Sequence, residues 1–149
     1  MKYNLIEAKV EDINYIKSTK LYNIFNYDHH LPEDEKIKIK RYVDKHIPQE
    51  IEQYKIILCN KKRVGCLLVI QHEDGIMLDE IYLEEEYRNK GIGTDIIRKI
   101  LNNNIVYLWV YKENTRAIKL YKQLGFIINI ETETRYYMKY ITNNMNPSK

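Results

Sequence analysis

Cysteine is scarce in this sequence, with Cys59 and Cys66 as the only two among 149 residues. Both lie in apolar, strand-like runs, a pattern typical of buried free thiols. Two cysteines without a spaced pair of histidines do not form a zinc site, so we expect no metal ion. These features together predict a reducing, cytoplasmic location.

Long apolar runs are also absent, and neither sign of charge dominates. No stretch approaches the ~20 apolar residues of a membrane-spanning helix, and no signal-peptide run precedes Glu7. The net charge is only +3, and its excess lies in residues 101–149, which carry 7 basic and 3 acidic side chains. We therefore expect no nucleic-acid or membrane partner, although this basic region would suit a ligand with several phosphates.

The composition is that of a globular protein, with 44% hydrophobic and 30% charged residues. We predict a single domain over residues 1–142, followed by a frayed tail over residues 143–149. The periodicity of the apolar residues predicts a mixed α+β fold with the order β-α-α-β-β-β-α-β-α-β-β. The predicted strands are Tyr3–Ala8, Tyr54–Cys59, Val64–Ile70, Ile76–Leu83, Ile105–Val110, Phe126–Ile130 and Tyr136–Ile141. The predicted helices begin at Glu11 and Pro32 and span Gly91–Leu101 and Asn114–Leu124, and Pro48 is expected to end the second helix.

The segment from Arg88 to Thr94 joins a strand to a helix and contains two glycines. Gly91 and Gly93 allow a tight turn, and the free N–H groups of the first helical turn then favour an anion. With Arg88 and Lys90 beside them, these groups predict a pyrophosphate site. The third glycine of the dinucleotide-binding fingerprint and the Gly-Lys-Ser/Thr of a P-loop are both missing. The alternative is a tight turn that is merely rich in charge.

The run Arg88-Asn89-Lys90-Gly91-Ile92-Gly93 resembles the Arg/Gln-x-x-Gly-x-Gly/Ala motif of the GNAT superfamily of acyl-CoA-dependent N-acyltransferases. Further along, Asn114, Ala117 and Tyr121, followed by Gly125-Phe126, are similar to that family's second signature. The resemblance extends from Tyr3 to about Ile141. It implies a largely antiparallel mixed sheet of about seven strands with about four helices, splayed between the fourth and fifth strands.

The resemblance implies acetyl-CoA as co-substrate, with its pantetheine arm between those two strands. The N–H of Leu83 is then the candidate to polarise the thioester carbonyl. The residues implied in cofactor binding are Ile81, Tyr82, Leu83, Arg88, Asn89, Lys90, Gly91, Ile92, Gly93, Thr94, Asn114, Ala117 and Tyr121.

Tyr121 matches the family's usual general acid, which protonates the departing thiolate; the alternative is a core aromatic. Asp79 and Glu80 are the candidates for the base that deprotonates the acceptor amine. Strand alternation places Asp79 with Ile81 and Leu83, which favours Asp79 slightly, although a bulge in this strand would exchange the two faces. Either carboxylate could instead be a solvated charge.

The acceptor side is implied by the resemblance to include the first two helices and their loop. Candidate acceptor contacts are Tyr22, Tyr27, Asp28 and His29, with an exposed polar loop as the alternative. An acidic run that includes Asp79, Glu80 and residues 84–86 would attract a cationic amine such as a polyamine or an aminoglycoside.

The predicted function is transfer of the acetyl group of acetyl-CoA to a primary amine of a small molecule or peptide, by direct attack in a ternary complex. The alternatives are a CoA-binding sensor without catalysis and an enzyme that acetylates protein N-termini or lysines. The resemblance is also compatible with a homodimer, for which the apolar segment Tyr136–Met138 is expected to form an exposed C-terminal edge.

Overall fold

The computed structural model describes residues 1–142, in which seven strands and four α-helices follow the predicted order. The predicted tail over residues 143–149 lies outside the described residues. The strands are β1 (Asn4–Glu7), β2 (Tyr54–Cys59), β3 (Lys62–His72), β4 (Gly75–Leu83), β5 (Ile105–Tyr111), β6 (Ile127–Glu131) and β7 (Arg135–Ile141). The helices are α1 (Ile13–Tyr27), α2 (Glu33–Glu50), α3 (Ile92–Leu101) and α4 (Thr115–Gln123).

The strands form one sheet in the order β1-β2-β3-β4-β5-β7-β6. Neighbouring strands of residues 1–142 are antiparallel except β4 and β5, which are parallel. This parallel pair is in register at Ile76 with Val106 and at Met77 with Tyr107, and the two strands diverge beyond these positions. The predicted mixed fold and the splay between the fourth and fifth strands are confirmed.

A separate apolar core covers each face of the sheet. On one face, Ile92, Ile96 and Ile97 of α3 pack with residues of β4, β5 and β7. On the other face, Ile16 of α1 and Ile47 of α2 pack over β2 and β3. The helical spacing of these residues places each helix's apolar side against the sheet, which fixes the two layers on either side of the splay.

A β-bulge at Asp79 interrupts the regular alternation of β4. Leu68 of β3 pairs with Glu80 and Val69 pairs with Leu78, so Asp79 is the extra residue. Beyond the bulge, Ile81 lies on the same face as Leu78. The simple alternation predicted for this strand is therefore wrong past Leu78, and the faces of β4 do not favour Asp79 over Glu80 as the base.

Pro48 does not end the second helix, as the sequence predicts it should, but lies inside its last turn. Proline lacks the N–H that would bond to the carbonyl four residues earlier, yet α2 continues to Glu50. Ile47 and Ile51 on either side of it are both buried, so the apolar contacts of this turn keep the chain on the sheet.

The predicted exposed edge at Tyr136–Met138 is also wrong, because β7 lies between β5 and β6 inside the sheet. Met138 is completely buried. The edge strand on this side is β6, where Ile127 and Ile130 are at least half exposed. Homodimerisation stays a prediction, and any edge contact on this side would involve β6.

Candidate functional site

A cavity of about 470 Å³ occupies the splay between β4 and β5. It is lined on the α3 and α4 face by Leu78, Ile97 and Tyr121. On the opposite face its lining includes Asn23 and Tyr27 of α1. The cavity therefore passes through the sheet, so one ligand can enter from each face and the two can meet between the strands.

The main chain of β4 presents donors and acceptors to this cavity. The Tyr82 carbonyl points towards Gly65 of β3, so the N–H of Leu83, on the other side of the same trans peptide, points away from β3 into the splay. The next peptide is reversed: Glu84 N–H donates to the Val64 carbonyl at 2.8 Å. The two-residue period gives Ile81 the same outward main-chain direction as Leu83.

The turn before α3 holds backbone N–H groups at the rim of the cavity. Asn89 and Gly91 adopt left-handed conformations, with φ of 60° and 88°. The N–H groups of Ile92, Gly93 and Thr94 then belong to the first helical turn, where they have no intrahelical acceptor. A helix N-terminus of this kind favours a phosphate group.

The side chain of Arg88 braces this turn against β4. Its Nε donates to the Leu83 carbonyl at 2.7 Å, and its guanidinium lies 5.5 Å from the centre of the Tyr82 ring. Arg116 and Lys119 of α4 add further positive charge to the lining. These two residues were not among the sequence-based candidates, although their three-residue spacing on a helix and the basic excess of residues 101–149 are signals for a shared basic face.

Tyr121 of α4 is both a core aromatic and a cavity residue. Its ring packs against Phe126 with centres 5.5 Å apart, and burial raises the pKa of its hydroxyl to about 12. None of the described residues forms a hydrogen bond with the Tyr121 hydroxyl. Since no fully buried side-chain nitrogen or oxygen of these residues lacks a hydrogen bond, the hydroxyl oxygen is not fully buried. The hydroxyl therefore lies at the surface of the cavity with its proton in place at neutral pH.

Asn114 combines a structural contact with a position in the cavity lining. Its Oδ1 accepts a hydrogen bond from the Ala117 N–H at 3.3 Å, which caps the start of α4. The cap orients the side chain and leaves its amide nitrogen to donate into the cavity.

Glu80 is a carboxylate with one oxygen held and the other available. Tyr54 donates to its Oε2 at 2.7 Å, and Lys20 Nζ lies 3.9 Å from the same atom. Burial raises the pKa of the Glu80 carboxyl, while Lys20 and the hydrogen bond from Tyr54 lower it by less. The other oxygen, Oε1, has no hydrogen-bond partner among residues 1–142, where no fully buried side-chain oxygen is unpaired. Oε1 is therefore accessible, at the surface of the cavity that Glu80 lines. Asp79, beside it, is exposed at the bulge.

The end of α1 and the loop after it contact residues at the end of β5, on the α1 side of the cavity. The rings of Tyr27 and Tyr111 stack with centres 6.3 Å apart, and His29 Nε2 lies 3.3 Å from Glu113 Oε1. Tyr22 packs edge-on against Tyr82 instead. Of the four predicted acceptor contacts, Tyr27 lines the cavity, whereas Tyr22, Asp28 and His29 are not among its lining residues.

Most of the predicted cofactor and catalytic residues converge on this one cavity. Asp79, Glu80, Ile81, Tyr82, Leu83, Arg88, Asn89, Gly91, Gly93, Thr94, Asn114, Ala117 and Tyr121 all line it. Lys90 is exposed outside the lining, and the Ile92 side chain is buried in the core beneath the turn. Besides Arg116 and Lys119, the sequence did not indicate Asn23, Trp109 or Tyr111, because the packing of α1 on the sheet and the pairing of β5, rather than a motif, bring them here.

Within residues 1–142, no cluster of three or more histidine, cysteine, aspartate or glutamate side chains is arranged to hold a metal ion. The helices of this part of the chain include none with the length and apolar character needed to cross a bilayer.

The chain is similar to known acetyltransferases in sequence and in fold. A model described as the Acetyltransferase (GNAT) family matches residues 19–126. Spermidine N(1)-acetyltransferase of Escherichia coli strain K12 is 26% identical over 138 residues, covering 86% of this chain and 74% of that protein. Spermine/spermidine N(1)-acetyltransferase of Bacillus subtilis strain 168 is 28% identical over 65 residues, covering 39% of this chain and 43% of that protein.

Among solved structures, the PaiA N-acetyltransferase of Thermoplasma acidophilum in complex with coenzyme A aligns with a TM-score of 0.73. The alignment covers 95% of this chain and all of that one at 15% identity. At this identity the likeness shows the fold that the two proteins share.

Proposed function

The chain belongs to the GNAT family of acetyltransferases, and we propose that the acceptor of its acetyl group is a primary amine of a linear polyamine. The predicted family and the predicted enzyme class, an acetyl-CoA-dependent N-acetyltransferase, are confirmed by the family match and by the named relatives. The acceptor is the part of the function that this proposal adds.

The main support for a polyamine acceptor is the difference in charge between the two ends of the cavity that passes through the sheet. Arg116 and Lys119 contribute positive charge on the α4 side, and the N-terminus of α3 adds its dipole there. Asp79 and Glu80 contribute carboxylates at the bulge of β4. The positive end therefore complements the charge of a polyanionic cofactor, and the end with the two carboxylates complements that of a cationic acceptor.

The residues of the first end fit acetyl-CoA, which supplies the activated acetyl thioester. The free N–H groups of Gly93 and Thr94 suit its pyrophosphate, and Ile81 and Leu83 offer main-chain groups to its pantetheine arm. The Leu83 N–H would donate to the thioester oxygen as negative charge develops on it.

At the other end, Glu80 Oε1 would take the proton from the acceptor. An alkyl ammonium like that of lysine has an ordinary pKa near 10.4, so the amine must lose a proton before its nitrogen can attack. The new C–N bond forms as the C–S bond breaks, in a ternary complex without an acyl-enzyme; the nitrogen then loses its second proton to water, and Tyr121 regains a proton from water after it has protonated the sulfur. The Tyr121 hydroxyl donates to the departing sulfur and supplies its proton.

Polyamines are favoured over neutral acceptors for two reasons. The second carboxylate, Asp79, is exposed at the bulge next to Glu80 and would attract a further ammonium group of the same molecule. The named relatives in Escherichia coli and Bacillus subtilis are spermidine and spermine acetyltransferases. As part of the same proposal the reaction takes place in the cytoplasm, which the two free, buried cysteines support.

The test is a comparison of kcat/KM for CoA release across acceptors at fixed acetyl-CoA. Spermidine and spermine are expected to exceed a neutral amino acid and a peptide with a free N-terminus by at least about tenfold. Equal rates for all acceptors would contradict the polyamine assignment. Binding of acetyl-CoA without turnover on any acceptor would favour the sensor alternative.

A further inference from the structure

Two residues outside the recognised motifs hold the Glu80 carboxylate in one orientation. Tyr54 of β2 is completely buried, and its hydroxyl donates to Oε2 at 2.7 Å. Lys20 of α1 approaches the same oxygen at 3.9 Å, with its side chain 24% exposed. Both contacts are made to Oε2, whereas Oε1 has neither partner and lies at the surface of the cavity that Glu80 lines.

We propose that Lys20 and Tyr54 are positioning residues for the acetyl transfer: through their contacts with Oε2 they turn Glu80 Oε1 towards the acceptor. This inference rests on the proposed function. It adds two residues, from α1 and β2, to a site whose cofactor motifs lie on α3 and α4.

The other charged and titratable groups around Glu80 do not replace Lys20. Asp79 and Glu50 both raise the pKa of the Glu80 carboxyl, as does its burial. Burial raises the pKa of the Cys66 thiol to about 12, so this neighbour is neutral at physiological pH. Lys20 and Tyr54 are the two groups whose effect on the Glu80 pKa is to lower it. Removal of Lys20 therefore raises that pKa further.

The experiment compares Lys20→Met with Lys17→Met, a matched control on the same helix. The Lys17 side chain is 23% exposed and is also ion-paired, but with Asp44 at 3.2 Å. In Lys20→Met, the acid limb of kcat/KM for spermidine should move to higher pH, so that the rate on that limb falls about tenfold relative to the plateau. Lys20→Arg should restore the profile, and Lys17→Met should leave it unchanged. Tyr54→Phe should move the limb in the same direction.

A titration of the Glu80 side-chain carboxyl by ¹³C NMR, assigned with Glu80→Gln, separates this inference from the choice of acceptor. Its midpoint should rise in Lys20→Met and not in Lys17→Met, even if spermidine is a poor acceptor. An unchanged midpoint would overturn the role of Lys20. A raised midpoint in an active enzyme with an unmoved acid limb would overturn the role of Glu80 as the base.

Discussion

Two residues of the candidate site, Asn114 and Tyr121, combine a structural contact with a proposed role in the reaction. Asn114 caps the start of α4 through Oδ1. Tyr121, seven residues after Asn114, packs on Phe126. The seven-residue spacing places both side chains on one face of the helix, and both line the cavity. Their structural contacts fix their orientation, so substitutions must be chosen to remove the polar atom and keep the packing.

For Tyr121 the substitution that does so is phenylalanine. Tyr121→Phe keeps the ring and removes the donor to the departing sulfur, so kcat should fall about 10²- to 10⁴-fold. Tyr140→Phe is the matched control, because the Tyr140 ring also packs on Phe126, with centres 5.7 Å apart, but does not line the cavity. Steady-state kinetics on spermidine checks both variants. Equal kcat values for Tyr121→Phe and the wild type would exclude the acid role.

The two glycines of the cofactor turn should respond with opposite signs. An alanine at Gly91 meets no atom within 4 Å but must adopt a φ of 88°, which costs about 1–2 kcal/mol. Gly93 is helical, and an alanine Cβ there lies at an ordinary 3.7 Å from Leu83, so Gly93→Ala should gain up to about 1 kcal/mol. Because position 93 lines the cavity at its proposed cofactor end, the added alanine methyl group should occupy space there, and acetyl-CoA should stabilise this variant less. Thermal unfolding with and without acetyl-CoA measures both effects, and a destabilised apo Gly93→Ala would contradict this reading.

At the scale of elements, local patterns predicted most of the fold. The bounds of β2 were predicted without error, and α3 began one residue later than expected, because apolar period and turn residues are local signals. A bulge in β4 was considered, but its place at Asp79 could not be predicted, since it depends on the register with β3, in which Leu68 pairs with Glu80 and Val69 with Leu78. The inner position of β7 was missed because chain order does not give spatial order in a sheet. Pro48 was misplaced because tertiary contacts outweighed a local rule.

The contact between β3 and β4 offers a test at this scale. A Cβ on Gly65 would collide with the main chain of Tyr82, where neither partner can rotate away. Gly65→Ala should therefore lower the free energy of unfolding by about 1–3 kcal/mol. It should also weaken the thermal response to acetyl-CoA, because the Leu83 N–H follows Tyr82. Chemical denaturation gives the first quantity, and an unchanged midpoint would show that the strands separate more easily than the structure indicates.

At the scale of the whole molecule, the site depends on the sheet having two covered faces and one splay. Helices α3 and α4 bring the cofactor motifs to one face, and α1 brings Asn23, Tyr27 and Lys20 to the other. The sequence predicted the residues on the α3 and α4 face through its motifs. On the α1 face the sequence indicated only a few of the residues, because residues from α1, β2 and β5 meet there through tertiary packing without a local pattern. The acceptor and its base are therefore where experiment is most informative.

The most direct measurement is mass spectrometry of spermidine after incubation with acetyl-CoA and the purified protein, beside a reaction without protein. We expect a singly acetylated spermidine that forms with turnover and depends on the protein. Absence of this product, with acetyl-CoA still raising the melting temperature, would contradict the polyamine assignment and leave the cofactor end of the cavity in place.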